Sequence, residues 1–479
     1  MHDRYRLFHC PGWIILAGLL LVSAPGSADD ESLPNMLRFA NPGGFAATFS
    51  RTGSVDLTGP FFQSLGSNGR SCVSCHQPGD GWTITPAHLQ QRFDRSEGID
   101  PVFRTVDGAN APELDVSTVE ARRSAYSMLL AKGLIRVGMG IPVGAEFELA
   151  AVDDPYRHAS AQDLSLFRRP LPATNLNFLS TVMWDGRETF KDASSSNCIA
   201  GTSNCFATIH FDLADQANGA TLGHAQGANP LSEEQRQAIV DFEASLSTAQ
   251  VYDFRAGPLA ARAALGGPVY LSAQNSYFGI NDPIAGDYRT GAPFSSIVFR
   301  IYDSWSRLHD NGGSPERRLR TAAREQVARG QMLFNTRPIH IENVKGLNDD
   351  LAMPEIVGTC TTCHNTPNVG DHSIPAPLDI GIADASRRTP DLPLYTLRNL
   401  QTNETIQTTD PGRALVTGKW KDIGRFKGPT LRGLAARPPY FHNGSAADLP
   451  AVIDFYNTRF GLNLTDQEKA DLVAFLRAL

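Results

Sequence analysis

The stretch SCVSCHQPGDGW (71–82) sets Cys72, Cys75 and His76 in the order CxxCH, and CTTCHNTPNVG repeats that order at Cys360, Cys363 and His364. With 7 Cys and 12 His in 479 residues, one such match by chance is roughly a few-in-a-thousand event and two are negligible. Thiols two residues apart can add across the two vinyl groups of one haem while the adjacent imidazole ligates its iron. The pattern therefore points to two covalently bound haem c groups. Structural zinc is the rival use of CxxC, but it wants a second CxxC in the same local segment, and neither stretch has one.

The compartment bears on that choice. Arg4 and Arg6 precede an apolar run from Trp13 to Val22, and Gly26, Ser27 and Ala28 put small residues where a signal peptidase cuts. Residues 1–28 read as a signal peptide, and the rest as an exported, periplasmic chain; a retained N-terminal anchor is the other reading. The run is short for a bilayer span. In an oxidising location thiolate zinc sites are disfavoured, and Cys198 and Cys205, which flank the polar segment IAGTSN, read as a disulfide stapling an insertion rather than as two free thiols.

Hydrophobic content of 41% and charged content of 19% suit a globular protein. A net charge of −7 with no basic run argues against nucleic acid as a partner. The length exceeds what one core usually holds, so two domains are expected.

The elements that must position the motifs also repeat. An apolar, helix-like stretch precedes each CxxCH, GPFFQSLGSNGR before the first and REQVARGQMLFN before the second. Downstream, NLNFLSTVMWDGR (175–187) answers PTLRGLAARPPYFHNGS (429–445), with Trp184, Asp185 and Gly186 opposite His442, Asn443 and Gly444. A helix follows each: Ser232 and Gln235 form a capping box ahead of the stripe Ile239, Phe242 and Leu246, and Thr465 and Glu468 form another ahead of Leu472, Phe475, Leu476 and Leu479. The expectation is a mainly α chain of two class I cytochrome c-like domains, residues 29–254 and 316–479, each with one haem c. Residues 255–315, rich in Gly, Pro, Ser and Asn, read as an irregular linker.

With WDGR after the first CxxCH, and FKGPTLRGLAARPPYFHNGS followed by DFYN after the second, the chain resembles the bacterial di-haem cytochrome c peroxidases and their relative MauG, the tryptophan-tryptophylquinone maturation enzyme. The resemblance implies that the N-terminal haem meets hydrogen peroxide while the C-terminal haem stores and relays an electron. Trp184 would lie between them, and a small exported electron-transfer protein would be the donor. Cleaving peroxide takes two electrons, and a second haem can supply the one that a lone iron would draw from the protein. Two haems equally suit plain electron transfer with both irons six-coordinate.

The resemblance also assigns site residues. In the family the C-terminal haem takes its distal ligand from a helix beyond the His of an HxG motif, Met in the peroxidases and Tyr in MauG. Counting from His442 reaches Tyr456, and no Met follows the second CxxCH. Tyrosinate would favour ferric iron; the alternative is an ordinary helix-core aromatic beside Val452 and Ile453. For the N-terminal haem, the family carries a proton-handling Glu beyond the Trp. The Cys198–Cys205 insertion intervenes here, and QANGATLGHAQ (216–226) offers His224 and Gln226 instead. His224 is the expected acid/base, since imidazole exchanges protons near neutral pH, and Gln226 the expected hydrogen-bond donor to bound oxygen species. His224 could equally ligate the iron, or sit in a loop and do neither. His88 corresponds loosely to a family His that caps the peroxidatic iron; a surface helix His is the plainer reading. Lys427, Arg432 and His442 match residues near the haem propionates, where cations balance carboxylates. Pro439 matches a carbonyl ligand of an interdomain Ca2+ ion, whereas Arg437 stands where a Thr is usual.

Two classes of function follow. One is an enzyme that reduces hydrogen peroxide, or oxidises a protein substrate as MauG does. The other is a di-haem electron-transfer protein without catalysis.

Overall fold

Both capping boxes open helices at the expected residues. Ser232 and Gln235 start Glu233–Ser245, and Thr465 and Glu468 start Asp466–Arg477. Each cap satisfies amide donors that the first helical turn leaves unpaired. The computed structural model describes residues 31–189, 209–308 and 313–479, with the backbone of two short strands, Asn197–Cys198 and Cys205–Phe206, between the first two ranges. The expected signal peptide lies outside the described residues. Among them, no helix is long and apolar enough to cross a membrane.

The expectation of a mainly helical chain is wrong. The chain is 31% helical and 18% strand. The strands escape a periodicity reading for two physical reasons. They are short, and their partners are far away in sequence: Leu246–Asp253 pairs with Gly44–Ser50, and Phe147–Asp153 pairs with Leu394–Asn399. They also bury polar side chains, which removes the alternation that marks a half-buried strand. Thr48 and Thr248 are both buried and share a hydrogen bond of 2.8 Å across the first ladder.

Arg38–Asn41, Gly44–Ser50, Leu246–Asp253 and Gly257–Pro258 make a four-stranded antiparallel sheet, and Thr405–Thr408, Leu394–Asn399 and Phe147–Asp153 make a three-stranded one. Leu149, Tyr395 and Leu397 turn the second ladder toward a core with Leu166, Leu415 and Ile423. Cys198 and Cys205 are register partners in their ladder; their side chains lie outside the described residues.

The largest core joins the helices Pro315–Thr336 and Asp466–Arg477. They approach closely at Gly330, where a Cβ would lie 1.9 Å from the Asp471 carbonyl oxygen. Phe299, Phe334 and Phe475 meet there with ring centroids 5.5–5.6 Å apart, each pair contributing roughly 0.5–1.5 kcal/mol beyond burial. The Gly/Pro-rich stretch 255–315 supplies part of this core: Phe299, Tyr302 and Trp305 are buried, the Tyr302 hydroxyl donates to the Ala478 carbonyl (2.6 Å), and the Trp305 indole donates to the Ala261 carbonyl (2.8 Å). A smaller cluster holds Phe61, Trp82 and Phe242.

Candidate functional site

Each CxxCH folds as one tight turn. Cys72–Ser74 and Cys360–Thr362 are single 3-10 turns; at the first the Ser71 amide donates to Ser74 Oγ (3.1 Å), and at the second Thr359 Oγ1 accepts from the Thr361 amide (3.2 Å). The His76 amide donates to the Cys72 carbonyl (3.0 Å) and the His364 amide to the Cys360 carbonyl (3.1 Å). These bonds lie within six residues, so the geometry is local and follows from the sequence. Both sulfurs and the ring of each motif face one cavity.

Each imidazole is oriented from behind. Nδ1 of His76 donates to the Trp82 carbonyl (3.0 Å) and Nδ1 of His364 to the Gly370 carbonyl (2.6 Å). A carbonyl only accepts, so the proton sits on Nδ1 and Nε2 keeps its lone pair. Aromatic clusters back the rings, Phe61 at 6.3 Å from His76 and Phe334 at 6.0 Å from His364. Burial pushes both imidazoles down to about 4, so they are neutral ligands at physiological pH. Burial pushes Cys72, Cys360 and Cys363 up to about 12 and raises Cys75 as well. Among the described residues no three His, Cys, Asp or Glu side chains converge as a metal site.

The two cavities have volumes of ≈ 180 and ≈ 190 Å³. The second, beyond Cys360, Cys363 and His364, is walled by Leu472, Leu476, Tyr456 and His442. His442 is 1% exposed, stacks on Phe426 with centroids 4.1 Å apart, and has neither ring nitrogen hydrogen-bonded among the described residues. Among the described residues, Arg432 Nη2 and Arg437 Nε are buried donors without acceptors, and burial pushes both guanidinium groups down to about 10; Arg437 lines the second cavity and Arg432 does not. A buried cationic donor in the wall of an apolar cavity fits a flat apolar group with acidic substituents, which is what haem is. Tyr456 packs at 6.2 Å from Phe460; its hydroxyl makes no hydrogen bond among the described residues, and burial raises its pKa.

His224 and Trp184 do line the first cavity. Nδ1 of His224 is 2.5 Å from Asp107 Oδ2, and Asp107 is paired through its other oxygen with Arg70. Burial drives the Asp107 carboxyl up, but the Arg70 guanidinium and His224 outweigh it and hold it low. The His224 carbonyl accepts from Asn68 Nδ2 (2.8 Å), which ties the helix Ile209–Gly223 to the chain just ahead of Cys72. Gln226 is not among the residues lining the cavity. It is exposed, with a left-handed backbone (φ 54), and its carbonyl accepts from Ser67 Oγ (2.9 Å). His88 lines neither cavity; it lies on the surface of Pro86–Ser96 with Nδ1 2.7 Å from Asp80. The Arg437 carbonyl accepts from Arg169 Nη2 (3.3 Å), and the Pro438–Pro439 bond is cis.

The cavities share a wall. Trp184, Arg169 and Lys427 line both. The indole Nε1 of Trp184 donates to the Arg169 carbonyl (2.8 Å), and behind it Arg168 grips Asp410 through Nε (2.7 Å) and Nη2 (2.9 Å) and Asp185 through Nη1 (2.5 Å). The sequence repeat is visible here as geometry. Met183 and Phe441 have φ 66 and 67, Gly186 and Gly444 have φ 71 and 64, and the Asp185 and Asn443 side chains each accept from the amide two residues on (3.1 Å).

Sequence reasoning missed Asp107, the Arg168–Asp410 pair and Glu243. The first two are contacts across 117 and 242 residues. Glu243 left a readable signal: it lies four residues beyond Ile239, on the buried stripe, where a charge is out of place.

No protein-family model matches the chain. It is similar to cytochrome-c peroxidase IdrP1 of Pseudomonas sp. (strain SCT), 28% identical over 44% of this chain and 54% of the relative. It is also similar to cytochrome-c peroxidase IdrP2 of Denitromonas iodatirespirans, 34% identical over 26% and 36%, and to cytochrome c551 peroxidase of Nitrosomonas europaea, 32% identical over 25% and 30%. The matches thus span about half or less of these relatives' length. A solved MauG-like protein associated with microbial copper homeostasis aligns over 88% of this chain and 85% of its own with 17% identity and a TM-score of 0.35, too loose a superposition to bear on the fold. By sequence, the chain is similar to bacterial cytochrome c peroxidases over part of its length.

Proposed function

We propose that the chain is an exported, periplasmic di-haem c-type peroxidase that reduces hydrogen peroxide with electrons from a small exported electron-transfer protein. The observation that supports this best is the pairing of two CxxCH turns, each aiming a neutral His Nε2 into its own apolar cavity, with Trp184 in the wall of both. Haem c, when bound, supplies one-electron chemistry at iron.

The chain's residues do the rest. Cys72 and Cys75, with His76 as ligand, hold the haem of the N-terminal half (29–254); Cys360 and Cys363, with His364, hold that of the C-terminal half (316–479). Tyr456, whose hydroxyl has no hydrogen-bond partner among the described residues, would be the second ligand on the C-terminal side. Asp107 fixes the His224 ring by its bond to Nδ1, so His224 Nε2 can take a proton from one peroxide oxygen and return it to the other. Trp184 carries electrons between the cavities. Arg437, in the wall of the second cavity, would neutralise the acidic edge of the C-terminal group. A Ca2+ ion held by backbone carbonyls, Pro439 among them, belongs to the same reading.

Tyr456 in place of a Met favours one variant, oxidation of a protein substrate in the manner of MauG. The test is production with periplasmic haem maturation, mass measurement, and peroxide turnover with a reduced exported cytochrome. Two haem masses and peroxide-dependent oxidation of the donor are expected. Two attached haems without turnover would leave an electron-transfer protein, and fewer than two would end the reading.

A further inference from the structure

Glu243 has no part in the mechanism above, yet it lines the first cavity with Cys72, Leu213 and Ala217. It is 6% exposed, and its Oε2 has no hydrogen-bond partner among the described residues. The elements packed against its helix do not neutralise it. The turns Pro60–Phe62 and Leu176–Phe178 bring only apolar or neutral side chains. Ile209–Gly223 brings His210, Asp212 and Asp215, and His210 faces Gln237 and Asp241. On its own helix Arg236 pairs with Glu233.

The cavity's cations are engaged elsewhere. Arg70 holds Asp107, with His224 on the other carboxylate oxygen, and Arg168 holds Asp185 and Asp410. Arg187 also holds Asp185, Arg169 donates to the Lys132 and Ile84 carbonyls, and Lys427 donates to the Thr181 carbonyl. Cys72 is the titratable neighbour whose thiol feels Glu243, and that thiol is consumed if haem is attached. Burial alone pushes Glu243 up to about 8. A large apolar group in the cavity would keep water from it.

We propose that Glu243 is the redox-linked proton site of the first cavity, protonated while the iron beside it is ferrous and ionised while it is ferric. The inference rests on haem being attached at Cys72 and Cys75. The balance is one electron and one proton. A one-electron donor, such as a mediator dye or reduced exported cytochrome, delivers the electron to ferric iron, and solvent delivers the proton to a Glu243 carboxylate oxygen; oxidation reverses both. The cause is electrostatic, since an electron placed in the cavity cancels the positive charge that steadied the carboxylate. Reducing peroxide to two waters consumes two electrons and two protons, and a reduced first site would already carry one of those protons.

The test is a redox titration of the loaded protein at a series of pH values, after mass measurement of haem content. In wild type, the potential of one haem should fall as pH rises, by at most about 59 mV for each tenfold drop in proton activity. In Glu243→Gln that slope should vanish. Glu243→Leu, which matches the apolar wall, should be equally flat and guards against a misfolded Gln variant. Infrared difference spectra should show a protonated carboxyl appearing on reduction in wild type and in neither variant. Full haem content with an unchanged slope in both variants overturns the inference and leaves the attachment reading intact. Loss of haem from the first site in wild type overturns both.

Discussion

Trp184 and His442, which occupy matching places in the sequence repeat, meet edge to face with ring centroids 6.2 Å apart at 65°. Their backbones are exchanged as well: the Lys427 amide donates to the Trp184 carbonyl (2.9 Å) and the Arg169 amide donates to the His442 carbonyl (2.7 Å). The two halves therefore reach each other through a reciprocal pair of bonds around an aromatic contact, with Trp184 in the wall of both cavities and His442 in that of the second.

That contact is the proposed electron route. Trp184→Phe keeps a ring against His442 and loses the indole bond to Arg169. Peroxide turnover should fall about tenfold or more, with haem content unchanged; stopped-flow mixing of the reduced protein with peroxide measures it. Wild-type rates would remove the indole from the route.

For proton transfer, His224→Ala should lower peroxide turnover at least about a hundredfold, and Asp107→Asn should fall between, because it leaves the ring but loosens its orientation. Steady-state rates at matched haem content decide this. Unaltered turnover in the Ala variant would exclude His224.

Tyr456 separates ligation from packing in one variant. Its hydroxyl has no protein hydrogen bond, so Tyr456→Phe should leave the melting temperature nearly unchanged while altering the visible spectrum of the second haem. An unchanged spectrum makes the residue a core aromatic.

The Arg168 cluster governs stability. Removing Arg168 leaves Asp185 and Asp410 buried without their cation, so Arg168→Met should cost about 3–5 kcal/mol in denaturant unfolding.

Two buried carboxylates should give pH dependences of opposite sign. Burial raises Asp185, but Arg168 and Arg187 outweigh it and hold it at about 2. Its contribution, about 2 kcal/mol, is complete above the unfolded value near 3.8 and is lost as pH falls toward 2. In the haem-free chain Glu243 sits at about 8, above its unfolded 4.5, so the folded state holds the extra proton and stability falls as pH rises between those values. Unfolding curves of Glu243→Gln from pH 4.5 to 8 should lack that decline.

What could be read from sequence was what local bonding decides. The CxxCH turns, both capping boxes and the stripe Leu472, Phe475, Leu476 and Leu479 all close within a few residues, and all four stripe residues are buried. The sheets could not be read, because Thr48, Thr248 and Gln250 are polar yet buried in ladders whose partners lie some two hundred positions away. Composition also misled: the Gly and Pro of 255–315 concealed Phe299, Tyr302 and Trp305. In the candidate site, residue types announced the thiols and imidazoles, whereas Asp107 had no signal short of its position in space.

The ladder of Phe147–Asp153 with Leu394–Asn399 has a consequence for how such a chain could arise or be divided. One strand comes from the half that carries the first motif and the other from the half that carries the second. Severing the polypeptide near residue 255 and expressing the pieces singly would strip Tyr395 and Leu397 of a covering neighbour and bare an unpaired edge on each fragment. The two motif-bearing halves therefore do not behave as interchangeable beads; each supplies a strand that the other's sheet needs.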